Sequence, residues 1–231
     1  MNNTQPVVAI VVAAGSGSRL GAEVPKALVE LDGVTLIERC LRALADGGVS
    51  RAVVTVPVTH SQEFAEILSA PPLPVRLVVG GLRRQDSVRL GAEALSEEFA
   101  DAVVLVHDAA RPLVPAAVVA DVARAVAGGA DAVIPAVAVV DSIRELTSEG
   151  SRVVDRATLR AVQTPQGFPL ATLLAAHRHL VRADLEVTDD AAAAEAIGAS
   201  VTIVPGHRDA MKITEPVDMV LARAILAGRS Q

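Results

Sequence analysis

The chain has 231 residues, with 21 Lys and Arg against 27 Asp and Glu, a formal net charge of -6 and a pI near 5.4. Half of it is apolar (51%), which assures a core and excludes a disordered chain. No segment approaches the ~20 apolar residues of a membrane-spanning helix, and three Phe with no Trp or Tyr in an acidic chain disfavour nucleic-acid binding.

The length fits one domain over 1–231. The lone Cys40 excludes a disulfide framework and a thiolate metal cluster, and its apolar helical surroundings make it a small buried hydrophobe. No Lys or Arg precedes Arg19, so the apolar run from Val7 lacks the basic flank of a signal peptide. A reduced cytoplasmic compartment is the expectation.

In chain order, β-branched runs at Val7–Ala13, Ala52–Val56, Val75–Val79, Ala102–Val106 and Ala132–Val137 barely alternate, as strands buried on both faces do. Between them lie helical patterns near Leu36–Ala45, Ser61–Ser69, Ser87–Leu95 and Ala116–Ala127, and Gly47-Gly48 and Gly128-Gly129 close two of these. The alternation predicts a mostly parallel α/β sheet flanked by helices, with ligands outside the carboxyl ends of the strands. The segment 137–162 breaks the pattern: Val139–Leu146 and Arg152–Arg156 alternate around Thr147-Ser148-Glu149-Gly150, a hairpin signal. A lone hairpin is marginal in water, so an arm at about 138–160 is expected to pack on something, a second subunit being the candidate. Then come a helix at Pro169–Val181, an Ala-rich helix at Asp189–Ile197 with Thr188 as its cap, a strand at Val201–Val204 and a helix at Glu215–Leu226.

The strand ends carry the chemistry. The first runs into Ala13-Ala14-Gly15-Ser16-Gly17-Ser18-Arg19-Leu20-Gly21 and then Pro25-Lys26. Small residues directly after a buried strand let backbone N–H groups approach an anion. A dinucleotide fingerprint needs glycine where Leu20 stands, and a P-loop needs Gly-Lys-Ser/Thr, which never occurs. What remains is a Gly-rich loop with the cations Arg19 and Lys26. Lys26 and Lys212 are the only lysines in the chain, the other 19 cations being arginine. The third strand ends in Gly80-Gly81-Leu82-Arg83-Arg84-Gln85-Asp86-Ser87 and the fourth in His107-Asp108-Ala109-Ala110-Arg111-Pro112, where an Asp and an Arg suit a metal and a phosphate. His177 and His179 point to different faces of a helix and make no metal pair, and His107 reads as structural. No Cys–His pair or Ser–His–Asp pattern supports a side-chain nucleophile.

The pieces Ala13-Ala14-Gly15-x-Gly17-x-Arg19, Pro25-Lys26, Gly80-Gly81-x-x-Arg84-x-x-Ser87, Val106–Pro112, Thr164-Pro165-Gln166 and Lys212-Ile213-Thr214 together resemble the 2-C-methyl-D-erythritol 4-phosphate cytidylyltransferases across nearly the whole chain. The resemblance implies a Rossmann-like nucleotidyltransferase fold and transfer of CMP from CTP to the methylerythritol phosphate, with Mg²⁺. It implies that Arg19 and Lys26 neutralise the phosphates, aided by backbone N–H groups around Ala13, Ala14, Gly15 and Gly17. Gly81 and Ser87 would hold the cytosine and Ala109 would lie near the ribose. Asp108 and Arg111 would contact the acceptor, with Thr164 beside them. Arg156 and Lys212 would hold the methylerythritol phosphate, with Ser142 assisting, and Arg19, Lys26, Arg156 and Lys212 would be the catalytic residues. Asp108 is the candidate metal contact, the ion resting mainly on CTP phosphates. The arm would cross into a partner, giving a homodimer whose sites draw Ser142 and Arg156 from the neighbour.

Three positions depart from the pattern: Ser142 for Thr, Leu82 for a polar residue, and Ala210-Met211 for Asn-Ile. Alternatives are a ribitol 5-phosphate cytidylyltransferase, a uridylyl- or guanylyltransferase acting on sugar 1-phosphates, and a nucleotide-binding regulator without turnover. A Rossmann oxidoreductase fails at Leu20.

Overall fold

The computed structural model describes residues 5–15, 17, 20–21 and 24–229. Its elements run β1 (Val7–Val12), β2 (Glu30–Leu31), β3 (Val34–Thr35), α1 (Leu36–Asp46), β4 (Arg51–Val56), α2 (Ser61–Ile67), β5 (Val75–Val79), α3 (Arg84–Ser96), β6 (Val103–Asp108), α4 (Ala116–Ala127) and β7 (Ala132–Ala138). They continue β8 (Ile143–Thr147), β9 (Gly150–Val154), β10 (Arg160–Val162), β11 (Gln166–Pro169), α5 (Leu170–Ala183), α6 (Asp190–Glu195), β12 (Val201–Pro205) and α7 (Pro216–Arg229).

Eight strands form the main sheet. β6, β1, β4 and β5 are parallel neighbours, and β12 is parallel to β7. β11 lies antiparallel between β6 and β7, and β10 pairs antiparallel with Ala136–Ala138. The sheet is therefore mixed, with the parallel part carrying the expected strands. The extra strands escaped the sequence pattern because Gln166-Gly167-Phe168-Pro169 carries a Gly and a Pro, which weaken any strand reading.

Side-chain alternation explains the apolar runs. From β1, Ala9 and Val11 enter a core with Ile37 and Leu41 of α1 and Val119 and Val122 of α4. Val8 and Ile10 enter another, with Val88 and Ala92 of α3 and Leu173 of α5. A strand covered on both faces needs apolar residues at every position. Thr35 caps α1 through a reciprocal box with Glu38, its hydroxyl accepting from the Glu38 N–H. α6 is capped by Asp189, whose carboxylate accepts from the Ala192 N–H, in place of the expected Thr188. The Asp189 side chain, one residue nearer the helix than Thr188, stands at the N-cap position from which a side-chain oxygen reaches that N–H.

A small third core joins Leu31, Leu36, Leu113, Ile213, Met219 and Ala222. It pins the segment between β12 and α7 through Ile213, whose full burial contributes about 1.5–3 kcal/mol. The arm is different. Among the described residues, β8 and β9 pair only with each other, in register from Ile143–Val154 to Thr147–Gly150, and nearly every residue of the two strands is exposed. Among the described residues, no helix is long and apolar enough to cross a membrane.

Candidate active site

A cleft of about 300 Å³ opens at the carboxyl ends of β1, β5 and β6. β1 delivers Ala13, Ala14, Gly15 and Gly17 to its wall. Gly17 has φ +69°, and a Cβ there would come within 2.9 Å of the Lys26 Cβ. Only glycine gives the loop this turn with Lys26 packed against it. Arg19 lies outside the described residues. β5 ends at Gly80-Gly81, where a side chain on Gly81 would run into Asp86; its N–H donates to Ser87 Oγ at 3.1 Å, shaping the turn into α3. Leu82, the departure from the family pattern, is fully exposed at the rim and lines the cleft.

β6 extends two residues beyond its expected end, with His107 and Asp108 paired to Val11 and Val12. These polar residues continue a buried strand because each finds partners. The Arg111 carbonyl can only accept, so His107 Nε2 carries the proton that bonds it at 3.1 Å, and Nδ1 accepts from Thr164 Oγ1 at 3.1 Å. The same Oγ1 accepts from the Asp108 N–H at 3.1 Å. Burial, helped by the Arg111 and Arg84 charges against that of Asp108, pushes His107 down to about 4, so the ring is neutral near pH 7.

Asp108 Oδ1 accepts from Arg84 Nε at 3.1 Å, and Oδ2 from Lys212 Nζ at 2.9 Å. Burial works against its ionisation, but the charges of Arg84, Lys212 and Arg111 outweigh that and hold the carboxyl well below the usual carboxylate range. Arg84 in turn reaches Asp190 Oδ2 at 2.8 Å. Burial opposes its charge too, and Asp190 and Asp108 overcome it, raising its pKa above the ordinary value.

The two lysines, 186 positions apart, meet here. Lys26 Nζ donates to the carbonyl of Ile213, the residue after Lys212, at 3.1 Å, and the Ile213 N–H donates to the Ala110 carbonyl at 2.8 Å. Arg111 Nη1 donates to the Ala210 carbonyl at 2.7 Å. The Lys212 segment is thus supported through backbone carbonyls, which is why Ala210-Met211 can replace Asn-Ile without loss of that support. Cys40 is buried behind the cleft as expected, its thiol donating to the Ala109 carbonyl at 3.3 Å, and burial pushes its pKa up.

Of the sequence candidates, Ala13, Ala14, Gly15, Gly17, Lys26, Gly81, Ser87, Asp108, Ala109 and Lys212 line one cleft. Thr164 and Arg111 stand behind it, engaged with Asp108, His107 and backbone carbonyls. Ser142 and Arg156 lie apart on the arm, where Arg156 bonds the Val140 carbonyl. Sequence reasoning gave Arg84 no role although it stood in the Gly80–Ser87 motif, and it missed Asp190, whose signal was only a helix start.

Among the described residues, Asp108 is the one carboxylate lining the cleft, and they hold no cluster of three or more metal-binding side chains. Magnesium commonly takes one or two protein carboxylates with substrate phosphates and water. Asp108 keeps lone pairs beyond its two cation contacts, so the donor set fits an ion carried in by a polyphosphate.

Residues 7–228 match the protein family described as 2-C-methyl-D-erythritol 4-phosphate cytidylyltransferase. The protein of that name from Streptomyces coelicolor is 47% identical, the match covering 96% of this chain and 85% of the relative. That of Saccharopolyspora erythraea is 46% identical, covering 96% and 99%. The crystal structure of the Thermus thermophilus enzyme superposes with a TM-score of 0.78 at 37% identity, covering 95% of this chain and 98% of that one.

Proposed function

This chain belongs to the 2-C-methyl-D-erythritol 4-phosphate cytidylyltransferase family, and from that we propose that it transfers CMP from CTP to 2-C-methyl-D-erythritol 4-phosphate, releasing pyrophosphate. The nucleophile is an oxygen of the acceptor phosphate, whose second pKa is about 6, so it is largely dianionic at neutral pH and needs no general base. It attacks the α-phosphorus in line; the new P–O bond forms as the bond to the β-phosphate oxygen breaks, and that oxygen leaves with the electron pair. Two polyanions must be brought together against their repulsion, so catalysis is positioning and charge neutralisation.

In this reading the N–H groups around Ala13, Ala14, Gly15 and Gly17, with Arg19 and Lys26, take the triphosphate. Gly81 and Ser87 take the cytosine edge, and Ala109 the ribose. Lys212 takes the acceptor, with Asp108 holding its ammonium. Arg111 and Thr164 act from behind, on the Lys212 segment and on Asp108. Asp108 would be the protein contact of a magnesium ion brought in on the triphosphate, and such an ion would supply further neutralisation of the phosphates. The observation that carries the reading is the meeting of Lys26, Lys212 and Asp108 at one glycine-lined cleft.

Ser142 and Arg156 complete the acceptor site from a partner subunit, making a homodimer. Support comes from an arm that pairs only with itself and leaves Val140, Leu146 and Val153 exposed. The buried free thiol suits the cytoplasm as compartment. The test is pyrophosphate release from CTP, UTP and GTP, each with methylerythritol phosphate, ribitol 5-phosphate and sugar 1-phosphates, plus magnesium. Release should be fastest by far with CTP and methylerythritol phosphate. A preference for ribitol phosphate or a sugar 1-phosphate, or no release at all, overturns the proposal.

A further inference from the structure

Asp190 is only 1% exposed, at the start of α6, a helix that contributes nothing to the cleft wall. It nevertheless ends a row of alternating charges that begins in the cleft. Lys212 Nζ meets Asp108 Oδ2 at 2.9 Å, Asp108 Oδ1 meets Arg84 Nε at 3.1 Å, and Arg84 Nη1 meets Asp190 Oδ2 at 2.8 Å. Beyond it, His177, which is buried in α5, places Nε2 at 3.1 Å from Asp190 Oδ1. Gln166 fixes the backbone beneath, its Oε1 accepting from the N–H groups of Asp190 and Ala191 at 3.1 Å each.

A guanidinium beside a carboxylate favours a two-pronged grip on both oxygens. Arg84 does not take it: its prongs are divided between two carboxylates. We infer that Asp190 is a positioning residue for the transfer, holding one side of Arg84 so that Asp108 keeps one oxygen for Lys212. Without the Asp190 charge, Arg84 closes on both oxygens of Asp108. Lys212, whose side chain is 43% exposed, then loses the carboxylate that aims it. Stability alone is a weak reason for such a row, since apolar residues of similar volume often hold a fold as well as buried ion pairs do. Precise placement of a cation against a reacting phosphate is a stronger one. The inference rests on Lys212 acting on the acceptor phosphate.

Steady-state kinetics of Asp190→Asn, which keeps the side chain's shape, tests it. The expected result is a loss of about tenfold in kcat/KM for methylerythritol phosphate, the size seen for coupled charges, with the KM for CTP unchanged. In a Lys212→Ala background the same substitution should add almost nothing, because its target is gone. An unchanged acceptor kcat/KM, an equal loss for both substrates, or the same fold-loss in both backgrounds overturns the inference alone. Normal acceptor use by Lys212→Ala itself overturns the underlying reading and this inference with it. Should Asp190→Asn fail to fold, Arg84→Lys serves in its place. One ammonium cannot span both carboxylates, so the same acceptor-selective loss is expected, and its absence counts against the inference equally.

Discussion

The cleft and the arm treat their polar groups in opposite ways. Around the cleft, charges are half-buried and answered from within the chain, as Asp108 is by Arg84 and Lys212 and as the Lys212 segment is by Arg111. Rigid strand ends under two apolar layers hold them. On the arm, Arg152 pairs with Glu145 across the hairpin in full solvent, where such pairs contribute little. Leu146 is 84% exposed and Val153 69%. The cleft is formed by one chain alone, whereas no described residue of that chain covers Leu146 and Val153 on the arm. One half of the proposed site is thus a property of the fold, and the other half a property of assembly.

The sharpest way to break that division starts in the cleft. Lys26→Ala should lower turnover by about 10²–10³-fold, the usual loss for one preorganised donor at developing charge, with subunit assembly unchanged by size-exclusion chromatography. Pyrophosphate release near the wild-type rate would remove Lys26 from the reaction. Next comes the arm. Arg156→Ala should lower kcat/KM for the acceptor by about tenfold or more while CTP affinity by calorimetry holds, as loss of one hydrogen bond to a charged group does. Purified mixed dimers of Lys26→Ala and Arg156→Ala chains contain one wholly wild-type site when sites are shared, so about half the normal rate should return. No return in verified mixed dimers means the arm serves its own chain.

The smallest effect lies behind the cleft. The folded-state pKa of His107, about 4, sits below the ordinary 6.5, so the unfolded chain takes up the proton first as pH falls. Stability then declines from about pH 6.5 down to about 4, by roughly 1.4 kcal/mol at pH 5.5. Asp108 and Asp190, whose pKa values are lowered, keep their contribution until the pH drops below the ordinary carboxylate value of about 4. Urea denaturation at pH 7 and 5.5 should show the decline, and His107→Gln should flatten it. An equal slope in that variant would place the acid sensitivity elsewhere.

Much of this was legible from residue order alone. Runs such as Val7–Val12 announce strands covered on both faces, glycines at 15, 17 and 81 announce tight turns at their ends, and Thr147–Gly150 announces the hairpin. Each of these signals is local, written in neighbours a few positions apart, and local sterics and periodicity suffice to read it. What only the tertiary structure decided joins distant positions. β11 slips antiparallel between β6 and β7 despite its Gly and Pro, because both neighbours supply the hydrogen bonds that propensity cannot. Arg84 reaches Asp190 across 106 positions and Lys26 reaches Ile213 across 187. No periodicity encodes such pairs, since they exist only once packing of the layers has brought the loops to one place.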